Sequence, residues 1–118
     1  MLKEGVPTDR EIAELAAHIV EIWKRLSRAL SIQETIIVQI QIDEDDVYER
    51  AFSCLNKWRQ MMGSQANYEA LAQALGREEI ARNDLIQRFC YVVLEEPDGK
   101  VFFVYKSYSF DDNTPHYY

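Results

Sequence analysis

Between residues 47 and 62, apolar side chains recur at steps of four, four, three and four: Val47, Ala51, Leu55, Trp58 and Met62. This spacing stacks them on one face of an α-helix. Asp46 stands where an N-cap is needed, Glu49 follows three residues later, and Gly63 offers a left-handed stop. A long helix is therefore expected from Asp46 to Gly63. Its apolar face cannot stay in water, so the other segments must cover it.

Those segments read mostly as helices. Thr8 and Glu11 form a capping box, and Ile12, Leu15 and Ala16 follow at helical spacing. The apolar phase continues through Ile19, Trp23, Leu26 and Leu30 without Gly or Pro. Spacing alone allows one bent helix or two, with the break placed near His18–Val20. Ser31 and Glu34 make a second capping box, so a helix is expected to start at Ser31. Its body is ambiguous. Ile36, Val38, Ile40 and Ile42 alternate as in a strand, whereas Ile36, Ile37 and Ile40 fit a helix; the cap and the helical neighbours decide for helix. Asn67 caps a further helix with Tyr68, Leu71, Ala72 and Leu75 inward and Gly76 as its end. After a charged connector, Arg77 to Arg82, Asn83 is expected to cap a last helix carrying Leu85, Ile86 and Phe89.

The end of the chain differs in kind. Glu96-Pro97-Asp98-Gly99-Lys100 is a turn signal between two β-prone runs, Tyr91–Glu95 and Val101–Tyr105. Either the last helix stops near Cys90 and a hairpin follows, or helix continues to Leu94 and an irregular tail packs behind it. The turn favours the hairpin. Residues 107–118 are expected to be poorly ordered, although Phe102, Phe103, Tyr105, Tyr108 and Phe110 are many aromatics for a free end. The sum is an all-α fold of six short helices over 7–94, with 95–118 as an extension that ends in a hairpin or an irregular tail.

Composition narrows the function. A chain of 118 residues, 47% apolar and 28% charged, supports one core in one domain. No run reaches a membrane span of about 18–20 apolar residues, and MLKEGVPTDR lacks the apolar stretch of a secretion leader. The net charge is −7. Residues 1–94 hold 11 basic and 15 acidic side chains, and 95–118 hold 2 and 5. An acidic chain without a basic stripe is ill suited to a phosphate backbone, so nucleic acid is not an expected partner and proteins are.

Catalytic and metal chemistry find little support. Cys54 and Cys90 lie far apart in apolar surroundings and read as buried free thiols, which places the chain in a reducing, cytoplasmic compartment. With His18 and His116 they form no Cys-x-x-Cys or His-x-x-x-His spacing. Asp43, Glu44, Asp45 and Asp46 lack the glycine and the spaced ligands of a calcium loop. No enzyme activity, metal, cofactor or small-molecule substrate is expected. Trp23 and Trp58 are read as core anchors.

Several of these segments together resemble the death domain family: Trp23-Lys24-Arg25-Leu26, Leu30-Ser31-Ile32, Leu55, Trp58 and Gly63, Tyr68, Leu71 and Leu75, and the closing Arg82-Asn83-Asp84-Leu85. The resemblance covers about residues 7–94 and implies a six-helix antiparallel bundle in Greek-key order. It departs from the family at His18-Ile19-Val20, where a Gly- or Pro-containing loop is usual, and the segment beyond Glu95 is outside the pattern. The resemblance also implies homotypic assembly with other death domains, copies of this one included, as in apoptotic or inflammatory signalling. Three patches carry over from it. Arg25, Arg28 and Glu34 form the first, Arg59, Gln60, Ser64 and Gln65 the second, and Asp43, Glu44 and Asp45 the third. Arg59 and Gln60 fall outside the Val47–Met62 stripe and are expected to point outward. Independently of the family, a basic run (Lys24, Arg25, Arg28) and an acidic corner one helix later suit head-to-tail stacking. An alternative is a structural or regulatory domain of a larger complex, such as a nuclear RNA-handling assembly, without a part in death signalling.

Overall fold

The computed structural model describes the backbone of residues 1–95, 101–105 and 116–117, and the side chains of residues 1–92. Among the described residues six helices follow one another: α1 Asp9–His18, α2 Trp23–Ala29, α3 Glu34–Asp43, α4 Val47–Met62, α5 Tyr68–Leu75 and α6 Asn83–Leu85. A 3₁₀ turn, Val20–Ile22, joins α1 to α2; another, Gly63–Gln65, follows α4; a π-helical turn, Ile86–Cys90, prolongs α6. Helix α4 is the post. It packs against α1, α2 and α3, and α5 closes the far side against α2 and the π turn.

The core is the apolar phase read from the sequence. Ile12, Leu15, Ala16, Ile19, Trp23, Leu26 and Leu30 are all buried, and so are Ala51, Leu55, Trp58, Tyr68, Leu71, Ala72 and Leu75. Val47 breaks the expected stripe. It is 50% exposed, at the first residue of α4 on the acidic corner. Cys54 takes the inward place and Met62 is half-buried.

Caps set the corners. Thr8 and Glu11 close both halves of their box, Asp46 accepts from the Glu49 amide and Asn67 from the Ala70 amide. The break between the first two helices falls at Ile19, where the backbone turns through 3₁₀ geometry in place of a glycine loop. Gly63 takes φ +54 and ψ −125, a region open in practice to glycine alone.

Two boundaries and the conformation of one glycine differ from expectation. Ser31 does not cap α3, which begins at Glu34 with no side-chain cap at Gln33. It closes α2 instead, at φ +67, with its amide bonded to Arg28 O at 3.0 Å and the Ile32 amide to Ser27 O at 2.9 Å. These are the two bonds of a Schellman stop. The closing motif wins because Ile32, next in line, gains a buried place. Gly76 ends α5 in ordinary right-handed geometry; a Cβ there would come within 3.2 Å of Ala72 O and 3.3 Å of the Ile86 side chain. Close approach is its role. Asn83 lies inside α6 and makes no side-chain cap, the N-cap position falling to Arg82.

The last helix stops at Cys90, and the chain turns extended. Strand β1, Val93–Glu95, runs antiparallel to β2, Val101–Tyr105, and β2 to β3, His116–Tyr117. The connecting residues 96–100 and the tail aromatics' side chains lie outside the described residues; of the stretch 107–118 expected to be poorly ordered, only 116–117 are described, and they pair with β2. At the other end, Met1 to Lys3 form a strap along residues 90–92. The Lys3 amide bonds Cys90 O at 2.8 Å, the Val92 amide bonds Met1 O at 2.7 Å, and Leu2 bridges Tyr91.

Candidate protein-interaction surfaces

The first expected patch is assembled by the α2–α3 corner. Arg25 and Arg28 leave the exposed side of α2, and Glu34 opens α3. Arg28 and Glu34 form an exposed ion pair. The hydrogen bond to Glu34 raises the Arg28 pKa, and its return lowers that of Glu34. Arg25 reaches across to Glu79 O at 3.2 Å, tying α2 to the α5–α6 connector. Neither bond was legible from spacing.

The third patch sits where α3 meets α4. Asp43 accepts from the Gln39 amide at 2.8 Å, and Asp45 is exposed. Arg50 folds back onto the end of α3, donating to Glu44 O at 2.7 Å and Gln41 O at 3.2 Å. A cation there suits the negative end of the helix and braces the corner. Glu44, half-buried, takes a long bond from Ser53 at 3.4 Å. A shallow groove beside this corner is lined by Thr35, Ile36, Gln39, Ile40, Asp43 and Lys57. Lys57 was not foreseen, having no charged partner at helical spacing.

The second patch is divided. Gln60, Ser64 and Gln65 are exposed at the end of α4 and in the turn after it. Arg59 is drawn inward, its side chain 23% exposed. It donates to Pro7 O at 3.2 Å and Asn56 Oδ1 at 2.8 Å, and pairs with Asp9 at 2.7 Å. The expectation that Arg59 points outward is thus corrected. The long α1–α4 contact lies beside it, and its guanidinium satisfies the carbonyl that precedes the α1 cap.

Behind these surfaces the chemistry is quiet. Burial pushes the Cys54 and Cys90 thiols up to about 12, so both are neutral thiols near pH 7. Among the described residues no group of three His, Cys, Asp or Glu side chains is placed to hold a metal, and no helix is long and apolar enough to cross a membrane. The described residues form a helical bundle with charged side chains exposed at its α2–α3 and α3–α4 corners. The family model for the death domain matches residues 9–90, and the chain belongs to that family: an all-α, six-helix death fold. Death domains are interaction modules that bind other death-fold domains homotypically. No curated protein matches the chain closely enough to count as a relative.

Proposed function

We propose that this domain relays a signal by homotypic assembly with other death domains, copies of itself included, in apoptotic or inflammatory signalling within the cytoplasm. The observation that carries this is the separation of charge on a braced bundle: Lys24, Arg25 and Arg28 along α2, and Asp43 to Asp46 at the α3–α4 corner. Patches of opposite sign on different faces favour heterologous stacking. Arg25, Arg28 and Glu34 serve one contact; Gln60, Ser64 and Gln65, with Arg59 holding their helix against α1, serve another; Asp43, Glu44 and Asp45 serve the third. The assembly needs no catalysis of its own. It acts by raising the effective concentration of effector domains on partner chains. The death domain runs over 7–94 and 95–118 is its C-terminal extension. Within the family, the strings Pro7 to Ile12, Lys57 to Gln60 and Gly63 to Ala66 resemble the death domain of the caspase-2 adaptor RAIDD, and adaptors of that kind are the first partners to try.

The test is capture from a panel of purified death domains, with complex size read by light scattering. Association is expected at low salt, weakening as salt rises severalfold, and weakening also in Arg25→Glu and Asp45→Lys. Capture of no other death domain at low salt overturns the reading.

A further inference from the structure

Helix α3 carries more apolar surface than the bundle covers. Ile37 and Ile40 are buried and Ile36 half-buried, yet on the same helix Val38 is 51% and Ile42 67% exposed. Thr35, Val38, Gln39 and Ile42 follow at steps of three, one and three residues, which makes a second stripe turned away from the first. All four are exposed and none is charged. A helix apolar on both sides is ordinarily covered on both sides, and this spacing is that of a seam between helices.

The two ends of α3 decide what covers it. The C-terminal end runs into Asp43, Glu44, Asp45 and Asp46. The N-terminal end lies beside Arg28, with Lys24 within electrostatic reach of Glu34. A second α3 laid parallel sets acidic corner against acidic corner. Laid antiparallel about a two-fold axis near Val38 and Gln39, it sets Val38 against Gln39 and Ile42 against Thr35. Each acidic corner then meets the net basic end of the other copy, where Lys24 and Arg28 together outweigh Glu34, and the helix dipoles oppose favourably. We propose that two copies of this chain pair through the outer stripes of α3, antiparallel and two-fold symmetric, as a closed dimer.

Such an interface is isologous and stops at two. Two ten-residue helices bury less than the roughly 800 Å² per partner of a stable interface, so a Kd on the order of 100 μM is expected. The pair covers Arg28 and Asp43 and therefore competes with head-to-tail contact through them, which requires the dimer to open first. It stands whether or not the domain captures other death domains.

Sedimentation equilibrium of the full chain, from about 10 μM to 1 mM, reads the stoichiometry. The expected result is a monomer–dimer equilibrium that Ile42→Glu weakens about tenfold or more with an unchanged circular dichroism spectrum. Val38→Gln is a second, milder variant with the same direction. Gln39→Cys, close to the axis, should oxidise to a disulfide-linked dimer, whereas Gln73→Cys on the exposed side of α5 should not; Cys54 and Cys90 are buried and do not compete. A monomer at every concentration, oligomers that grow past two, or a dimer indifferent to both Ile42→Glu and Val38→Gln overturns the proposal.

Discussion

Ser31 holds φ +67 at the end of α2, a conformation that costs a residue with a Cβ about 1 kcal/mol. Ser31→Gly is therefore expected to stabilise the domain by roughly 0.5–1 kcal/mol, read as a higher urea midpoint at an unchanged slope. Glu11 is a hub as well as half of a cap. Its carboxylate takes the Thr8 amide at 3.0 Å, the Lys3 ammonium at 2.7 Å and the Tyr68 hydroxyl. Burial raises its pKa, but the Lys3, Thr8 and Tyr68 bonds together outweigh burial and hold it below the usual carboxylate value. The folded value lying under the unfolded one, this ionisation stabilises the fold fully above about pH 5 and loses that contribution as pH falls through the folded value. Glu11→Gln is expected to cost about 2 kcal/mol near pH 7, with the deficit against wild type shrinking below about pH 4.5. Urea melts of both proteins across pH check it; a deficit independent of pH would mean that shape, not charge, matters there. The Thr8–Glu11 box was legible because it is local. The Tyr68 and Lys3 bonds were not, because they join residues 57 and 8 positions apart. Arg59 shows the same limit: the helix phase puts it off the core stripe, but only the course of the chain before α1 brings Pro7 O within its reach.

At the scale of elements, α4 was the most readable because its stripe persists over four turns and both its ends carry strong signals. Trp58 is 2% exposed between the packed faces of α4's neighbours, whereas Val47, assigned to the same stripe, is half exposed. Trp58→Ala is expected to cost about 3–5 kcal/mol, much of a small domain's stability, and Val47→Ala no more than about 0.5. Matched denaturation curves separate the two. Equal losses would mean that the corner at Val47 packs more tightly than its exposure indicates. Helix α3 was ambiguous for a physical reason: alternating Ile36, Val38, Ile40 and Ile42 suits a strand buried on one face, and as a helix it leaves half of those side chains outside. The ambiguity in the sequence and the bare outer stripe in the structure have one cause. α6 was half legible. Leu85, Ile86 and Phe89 are buried as expected, but nothing local announced the π turn that carries the last two.

For the whole molecule, the folded unit reaches outside the limits that family resemblance draws. The death domain match begins at residue 9, yet residues 1–7 tie three parts of the bundle together. Met1 to Lys3 bond residues 90–92, the Tyr68 amide donates to Gly5 O at 3.2 Å, and Lys3 pairs with Glu11 while lying 5.4 Å from the Tyr68 ring centre. Leu2 packs on the core and Pro7 is buried. The strap thus fastens the start of α1, the start of α5 and the end of the last helix, three sites that no helix spans. A variant lacking residues 1–6 loses three backbone hydrogen bonds and one half-buried ion pair, together worth about 2–4 kcal/mol. Its helices should remain, since none begins before Asp9. The expected outcome is an unchanged far-ultraviolet spectrum, a lower urea midpoint, and loss of hydrogen-exchange protection at the Tyr68 and Val92 amides ahead of the α4 core. Exchange is the decisive readout, because it names the two amides the strap protects. Protection retained at both in the shortened chain would show that the bundle satisfies them without the strap.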